Sequence, residues 1–599
     1  MPISDPITYY SSRLSHLNGL DKILIKNKKR LALLRLVSFL AAIISFIYLI
    51  RFGWVPAISA TVLLLTVFGY FVSRDLQNSE MLDHNRLLLK INNNELEFLN
   101  HKFSDNPDGA EWQPELHPYA VDLDIFGRAS LYQYINRTIS ERGNKTLVSR
   151  LLNPFDKERI PEQQQAVREL SGKTEWRQQL QAYGLQERIT IRTEENILSW
   201  ISEPETFSDK PIWKLTRIVF PVISLMLLLL YIINILNQGQ FLFLLVVQLM
   251  IAMGISKKVL PAHSRLNKIT AELNSFSNSM AWIEKEEFQS KLLQELQDKF
   301  GQGNKNASQK IKQLKKILDR LDYKLNPLVY IPLSTFFCWD LQQAFQLEKW
   351  KKEKSDETTN WFNSLGEIEA ISSIANLHFN HPAWCFPVIR NEAAILDAEE
   401  MGHPLIPGNK RVNNSFSSDG TGKITIVTGS NMAGKSTFLR SIGVNIVLAM
   451  MGAPVCAKEF SVSEFKVMSS MRVTDNLEEN TSTFYAELKK LKHIIESVQT
   501  QENIFFLLDE ILRGTNSSDR HTGSVALIRQ LLKYKTSGII ATHDLGLSEL
   551  EKDYPDKVSN YHFDVQVENE ELFFDYKLKE GVCNSMNASI LMKKIGIEI

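Results

Sequence analysis

Cysteine is scarce in this 599-residue sequence: four residues, Cys338, Cys385, Cys456 and Cys583, with no C-x-x-C pair and no metal-ligand spacing. That excludes a disulfide scaffold and a cysteine-held metal centre, and it predicts free thiols in a reducing compartment. Net charge is absent too, with 68 Lys+Arg against 68 Asp+Glu. No global electrostatic attraction to nucleic acid follows, although a local basic face can hide inside a neutral total. The stretch 1–20 lacks the charged-then-apolar pattern of a cleavable signal. Internal repeats and extended low-complexity tracts are missing as well, which excludes a solenoid or a long disordered linker. A chain of this length exceeds one hydrophobic core, so three or more structural units are expected.

What the sequence has in quantity is long apolar runs. Leu31 to Ile50 and Trp54 to Val72 are separated by "RFG", and Ile218 to Leu236 and Phe241 to Ile255 by "NQGQ". Each approaches the length that crosses a bilayer core as a helix. Buried helices of a large soluble core are the alternative, but such helices carry a polar stripe that these runs barely show. Lys22, Lys26, Lys28, Lys29 and Arg30 precede the first run, and Arg74 follows the second. Lys210, Lys214 and Arg217 precede the third, while Lys257, Lys258 and Arg265 follow the fourth. This asymmetry predicts two hairpins entering from the cytoplasm and returning to it, with Trp54, Tyr70 and Trp213 at the interfaces. Both termini would then be cytoplasmic, in an integral protein of the cytoplasmic membrane. No charged pair lies deep in the runs, which argues against an ion pathway. Arg35 is near enough to an end to snorkel outward.

Among the polar segments, Leu147, Leu151 and Leu152 have helical spacing before an Asn153-Pro154 stop. Leu260–Lys299 and Ala307–Leu325 read as long helices separated by "GQGNKN". In the second, Ile311, Leu314, Leu318 and Leu321 form an apolar stripe, and Lys310, Lys312, Lys315, Lys316 and Arg320 form a basic face. A solvated face is the plainer reading of those charges; phosphate contact is the sharper one.

Near the C-terminal end, "KITIVT" (Lys423 to Thr428) is a strand-type run that leads straight into "GSNMAGKST". The pattern G-x-x-x-x-G-K-S runs from Gly429 through Ser430, Asn431, Met432, Ala433 and Gly434 to Lys435 and Ser436, with Thr437 next. Strand, glycine loop and helix together make a P-loop, whose backbone N–H groups and helix N-terminus stabilise phosphate charge. Lys435 is placed to reach the β/γ-phosphates of ATP, and Ser436 to ligate Mg²⁺. A second strand-type run, Ile504 to Leu508, ends in Asp509 and Glu510. Asp509 is the candidate to complete the Mg²⁺ shell and Glu510 the general base that polarises the attacking water. A third run ending at Ala541 leads into "THD", which makes His543 a candidate γ-phosphate sensor.

"TGSNMAGKST", "NTSTFYAEL" (Asn480 to Leu488), "LLDEILRGTNSSD" and "ATHD" occur in the order found in the MutS mismatch-repair ATPases, which this segment resembles. The resemblance runs from about His403 onward. It extends back through "LGEIEAISSIANLHF" (Leu365 to Phe379) to "DLDIFGRASLYQYINRTISERGNKTLVSRLLNPF". It implies a composite ATP site in a dimer, most simply a homodimer, with Ser482 approaching the γ-phosphate of the opposite subunit. Asp519 would lie at the dimer interface. The resemblance also implies an α/β P-loop ATPase domain of ABC-like, MutS type following an α-helical core and lever domain. The ABC signature L-S-G-G-Q itself is absent.

Departures from the family pattern are informative. Ser430 replaces a common proline, and Leu512 interrupts the glycine-arginine pairing of D-E-x-G-R-G-T. No aromatic adenine stacker is evident in "NKRVNNSFSS", where Val412 is the alternative. No Phe-x-Glu DNA-reading motif, connector, separate clamp domain or nuclease-like extension is found, so mismatch reading itself is not expected. The expected organisation is a cytoplasmic N-terminal segment (1–30), a first transmembrane hairpin (31–72) and a cytoplasmic helical segment holding the start of the core (73–212). A second hairpin (213–255), a helical core and lever region (256–400) and the ATPase domain (401–599) follow. Three functions stay open: a membrane-anchored dimeric clamp acting on DNA, an ATPase coupled to a membrane protein or lipid process without DNA, and an ATP-driven transporter. The absence of a polar lining in the apolar runs disfavours the last.

Overall fold

The helix Pro6–Leu49 runs without a break through the basic segment and the first apolar run, and Trp54–Leu99 returns alongside it. At 1.5 Å per residue these 44- and 46-residue helices are each roughly 65–70 Å long, about twice the hydrocarbon thickness of a bilayer. The structure is a computed structural model and describes residues 5–153, 155–301, 306–354, 357–430, 432–472, 483–501, 503–568 and 571–583. Among them four helices are long and apolar enough to cross a membrane: these two, Pro211–Ile232 and Gln238–Asn267.

Beyond the apolar stretch, the first hairpin is held in register by asparagines at heptad spacing. The Asn78 and Asn85 side-chain amides donate to the Leu24 and Leu17 carbonyls of the first helix (3.0 and 3.1 Å), while Asn92, next in the spacing, exchanges hydrogen bonds with Gln178 of the helix Thr174–Gln186 and ties the hairpin to the core. A buried polar group that is satisfied in only one alignment fixes that alignment. Arg35 reaches toward the end of the apolar run, where its guanidinium meets Asp75 of the returning helix, just past Val72, at 3.0 Å.

Leu147 and Leu151 are fully buried on the helix Glu141–Leu152, as their spacing predicts. The expected single helix Leu260–Lys299 is three helices: the end of Gln238–Asn267, then Thr270–Glu284 and Lys291–Gly301. The second break is stabilised by Glu169, whose carboxylate accepts the free N–H groups of Gln289 and Ser290 (2.9 and 2.7 Å) at the start of the last helix. The stripe Ile311, Leu314, Leu318 and Leu321 is buried on the helix Ala307–Leu321. Lys310 leaves the expected basic face: it is buried and its ammonium meets Glu357 at 2.5 Å. A fifth apolar helix, Pro327–Phe337, lies beside the second hairpin and has no counterpart among the sequence expectations.

The lever helix Thr358–Asn380 crosses the core and delivers the chain to two sheets. The smaller sheet contains β1 (Val388–Arg390), β2 (Leu396–Met401), β3 (Asn414–Ser418) and β5 (Glu459–Ser463), in the order β1-β5-β2-β3. The larger contains β4 (Ile424–Gly429), β6 (Lys466–Ser470), β7 (Ile504–Asp509), β8 (Ser537–Thr542), β9 (Val558–Glu568) and β10 (Glu571–Glu580). Its order is β10-β9-β4-β8-β7-β6, parallel throughout except for the antiparallel β10 edge. β4, β7 and β8 are buried along their whole length, as parallel strands covered on both faces must be.

Candidate ATP site

The three central strands β4, β8 and β7 lie side by side, so their C-terminal ends bring the glycine loop, His543 and Asp509-Glu510 to one edge of the sheet. This crevice beyond the carboxyl ends of parallel strands is where open α/β sheets bind ligands. Gly429 has φ +146°, and a Cβ there would come 2.7 Å from the Phe563 carbonyl oxygen. Gly434, at φ +107°, caps the helix Lys435–Met450, and a Cβ there would press on the Tyr576 ring at 3.2 Å. Only glycine fits a loop that combines positive φ with such close packing. Met432 lies exposed at the loop tip, Ala433 is buried beneath it, and Thr437 is in the first turn of the helix. Asn431 lies outside the described residues, as does Ser482.

Lys435 Nζ donates to the Gly429 and Ser430 carbonyls (2.9 and 3.0 Å). Burial lowers its pKa, against the opposing pull of Asp509 and Glu510. Ser436 Oγ donates to Asp509 Oδ2 at 2.5 Å. Asp509 Oδ1 is buried and has no hydrogen-bond partner among the described residues. A hydroxyl and a carboxylate in contact, with one carboxylate oxygen unsatisfied, suit a hard divalent cation such as Mg²⁺. Mg²⁺ takes one or two protein ligands and fills its shell with phosphate oxygens and water.

Glu510 sits at φ +51°, a left-handed conformation uncommon for a non-glycine residue. One carboxylate oxygen is 2.8 Å from His543 Nε2, and the other is 3.1 Å from Arg513 Nε. The hydrogen bond from His543 holds the Glu510 carboxyl down to about 2, with Arg513 and Lys435 adding to it and burial opposing. His543 Nε2 also lies 3.2 Å from Lys435 Nζ. A proton on Nε2 directed at the carboxylate leaves the lysine bonded through its two loop carbonyls.

The motifs assign no role to several residues that shape the site, although Arg513, Glu487, Asp122 and Asp124 lie within them. Arg513 braces both carboxylate positions, and its Nη2 also donates to the Asp509 carbonyl (3.3 Å). Glu487, in the helix Thr483–Thr500, accepts the backbone N–H groups of Leu512 and Arg513 and so fixes the loop behind Glu510. Asp124 of the core grips Arg472 through two bonds (2.6 and 3.0 Å), and Asp122 accepts the Arg472 N–H at 3.0 Å. The aromatic beside the glycine loop is Tyr576 of β10, far in sequence from "NKRVNNSFSS", while Val412 is half-buried. Asp519 is exposed in the first turn of the helix Ser517–Lys533, where its N–H is capped by Asn516. The parts of these contacts are visible as charged residues in or near the motifs, but most of their partners are tens to hundreds of residues away.

Residues 425–595 match the family model described as MutS domain V. Over 254 residues, 41% of this chain, it is 31% identical to "DNA mismatch repair protein MutS" of Desulfatibacillum aliphaticivorans. Over 223 residues, 35% of this chain, it is 33% identical to "MutS protein homolog 4" of Homo sapiens. The C-terminal part of the chain is similar to MutS proteins and carries the match to their domain V. The chain spans 27% of the length of the first relative and 23% of the second, so the similarity to MutS proteins concerns this part alone. MutS domain V is a P-loop ATPase-type domain, in keeping with the buried parallel sheet and glycine loop described above.

The position where the family pattern carries glycine, Leu512, has φ +61°. Its side chain is 9% exposed and packs in the cluster around Leu527 and Ile528. A left-handed non-glycine residue costs about 1–2 kcal/mol, whereas burying leucine contributes about 1.5–3 kcal/mol. Packing therefore outweighs strain, and Leu512→Gly is expected to destabilise this loop by on the order of 1 kcal/mol. Hydrogen exchange in the helix Ser517–Lys533 should rise several-fold. Slower exchange would mean that strain outweighs packing.

Proposed function

We propose that this chain is a membrane-anchored, MutS-like ATP hydrolase that works as a dimeric clamp on DNA at the cytoplasmic face of a membrane. The observation that carries the ATPase reading is the convergence of Lys435, Ser436, Asp509, Glu510 and His543 at one sheet edge. Lys435 exchanges its loop carbonyls for phosphate oxygens of ATP, and the loop from Gly429 to Thr437 surrounds them. Ser436 and Asp509 hold Mg²⁺, which when bound neutralises charge developing on the phosphates. Glu510 accepts the proton of the attacking water. A carboxylate at about 2 is ionised but a weak base, so His543 must turn from Glu510 toward the γ-phosphate for Glu510 to act. Ser482 from a second copy completes the site, which requires a homodimer.

The DNA reading is supported by the relatives' names, and it is tested on detergent-solubilised full chain with homoduplex, mismatched and branched DNA at several salt concentrations. Binding that weakens as salt rises supports it. No binding with or without ATP would sink it. A second reading, ATPase action coupled to a membrane process without DNA, is favoured by one observation. The lever helix leading into the ATPase domain is hydrogen-bonded directly to the first hairpin through Tyr10, Glu95, Asn376 and Asn380. ATPase activity that responds to lipid composition but not to DNA would select this second reading.

A further inference from the structure

We propose that the helix Pro327–Phe337 is a lipid-embedded element of the cytoplasmic leaflet, docked on the second hairpin rather than part of the soluble core. This rests on the membrane reading of the two hairpins. The helix has eleven residues, about 16 Å, which reaches through roughly half of a hydrocarbon core and cannot cross it. A short apolar helix of this kind is ordinarily buried in a core, yet here Leu328 is 87% exposed, and Leu325, Val329, Ile331 and Phe337 are exposed around it.

Its inner side shows where it sits. Ser224 Oγ lies 3.4 Å from the Thr335 carbonyl and 3.1 Å from Gln248 Nε2, and all three residues are buried. Ser224 is one helical stretch beyond Arg217, and Gln248 precedes Lys257 on the returning helix; at 1.5 Å per residue both lie about 10–13 Å inside that charged rim. The Thr335 end of the short helix is therefore at the same depth. The short helix packs on Pro211–Ile232 and Gln238–Asn267, which themselves expose Leu225, Met226 and Met250.

The rim around the helix has the composition of a membrane interface. Tyr323 and Trp339 stack at 5.9 Å where the chain enters and leaves, and Lys258 lies 5.0 Å from the Trp213 ring. Arg217 Nε donates to Gln342 Oε1 at 2.9 Å on the returning segment. The start of the helix is equipped for a dry setting: Pro327 begins it with no N–H to satisfy, and the Asn326 side chain accepts from Leu328 N at 3.2 Å, while Pro332 inside it offers no N–H to the Leu328 carbonyl.

The test uses full-length protein in vesicles containing phospholipids with a nitroxide at a shallow or a deep acyl position. Single variants Leu328→Cys, Leu225→Cys and Leu116→Cys each carry an environment-sensitive fluorophore, with labelling of the parent chain subtracted. Leu225 reports on the second hairpin, and Leu116 is an exposed position on a loop of the helical core. Quenching at 328 and 225 but not at 116, and stronger at 328 from the shallow nitroxide, is expected. If 225 is quenched while 328 behaves like 116, the short helix faces water or protein and this proposal is overturned with the membrane reading intact. If neither is quenched, both are overturned. Val329→Cys repeats the measurement on the same face should Leu328→Cys fail to reconstitute.

Discussion

Glu510→Gln is expected to lower ATP turnover by roughly 10²–10⁴-fold, the range a positioned general base contributes, while ATP is still bound. The substitution keeps the size of the side chain and its hydrogen bond to Arg513 or His543 but removes the proton acceptor. In the dimer reading the variant should accumulate as an ATP-held dimer, visible by size in detergent. Normal turnover would remove Glu510 as the base. The hydrogen bond from His543 largely keeps this carboxyl at about 2 in the nucleotide-free form. A depressed carboxyl contributes stability that is present above its unfolded value and is lost as pH falls through about 2. His543→Ala removes the leading cause, so the Glu510 carboxyl should rise toward the ordinary carboxylate range. The acid limb of the kcat/KM profile, which reports the nucleotide-free enzyme, should move to higher pH with it; an unmoved limb would show that His543 does not tune this base.

Glu95→Ala is expected to be the most damaging substitution remote from the ATP site. Glu95 is buried at the foot of the first hairpin, where its carboxylate accepts from Arg137 Nε (2.5 Å), Asn376 Nδ2 (2.8 Å) and Asn380 Nδ2 (2.9 Å). Burial pushes its pKa up, but Arg137 and the two amides outweigh it and the net shift is downward. Removing the carboxylate leaves Arg137 and the nearby Arg177 buried without their anion, which costs about 3–5 kcal/mol. Hydrogen exchange should accelerate at the C-terminal end of the lever helix Thr358–Asn380 and in 84–99 of the hairpin, with the nucleotide site left in place. Unchanged exchange in both would mean that the hairpin and lever are joined by apolar packing instead. The wild-type contribution of Glu95 should persist above its unfolded carboxylate value and fade as pH drops through its lower folded value.

The candidate ATP site was legible because its chemistry is local. The glycine loop needs consecutive backbone N–H groups and positive φ at Gly429, Met432 and Gly434, so it can only be written as a short contiguous motif. Asp509, Glu510 and His543 were legible for a related reason: each ends a run of buried strand residues, and the ends of adjacent parallel strands meet. Arg513, Glu487 and Tyr576 were not, because their roles depend on which segments fold next to the loop. Lys310 shows the same limit from the other side. On a helical wheel it belongs with solvated lysines, and only the approach of Glu357 makes it a buried ion pair.

The sequence by itself determined the four long apolar helices, the central parallel strands and the glycine loop at their edge, since run length and backbone conformation depend on near neighbours in the chain. The tertiary structure alone decided that the first hairpin continues as a stalk locked to the lever helix, and that a fifth apolar helix lies against the second hairpin. Those depend on buried polar partners far apart in sequence. Tyr10 with Asn380, Glu95 with Asn376 and Ser224 with Thr335 have no local signal that would announce them.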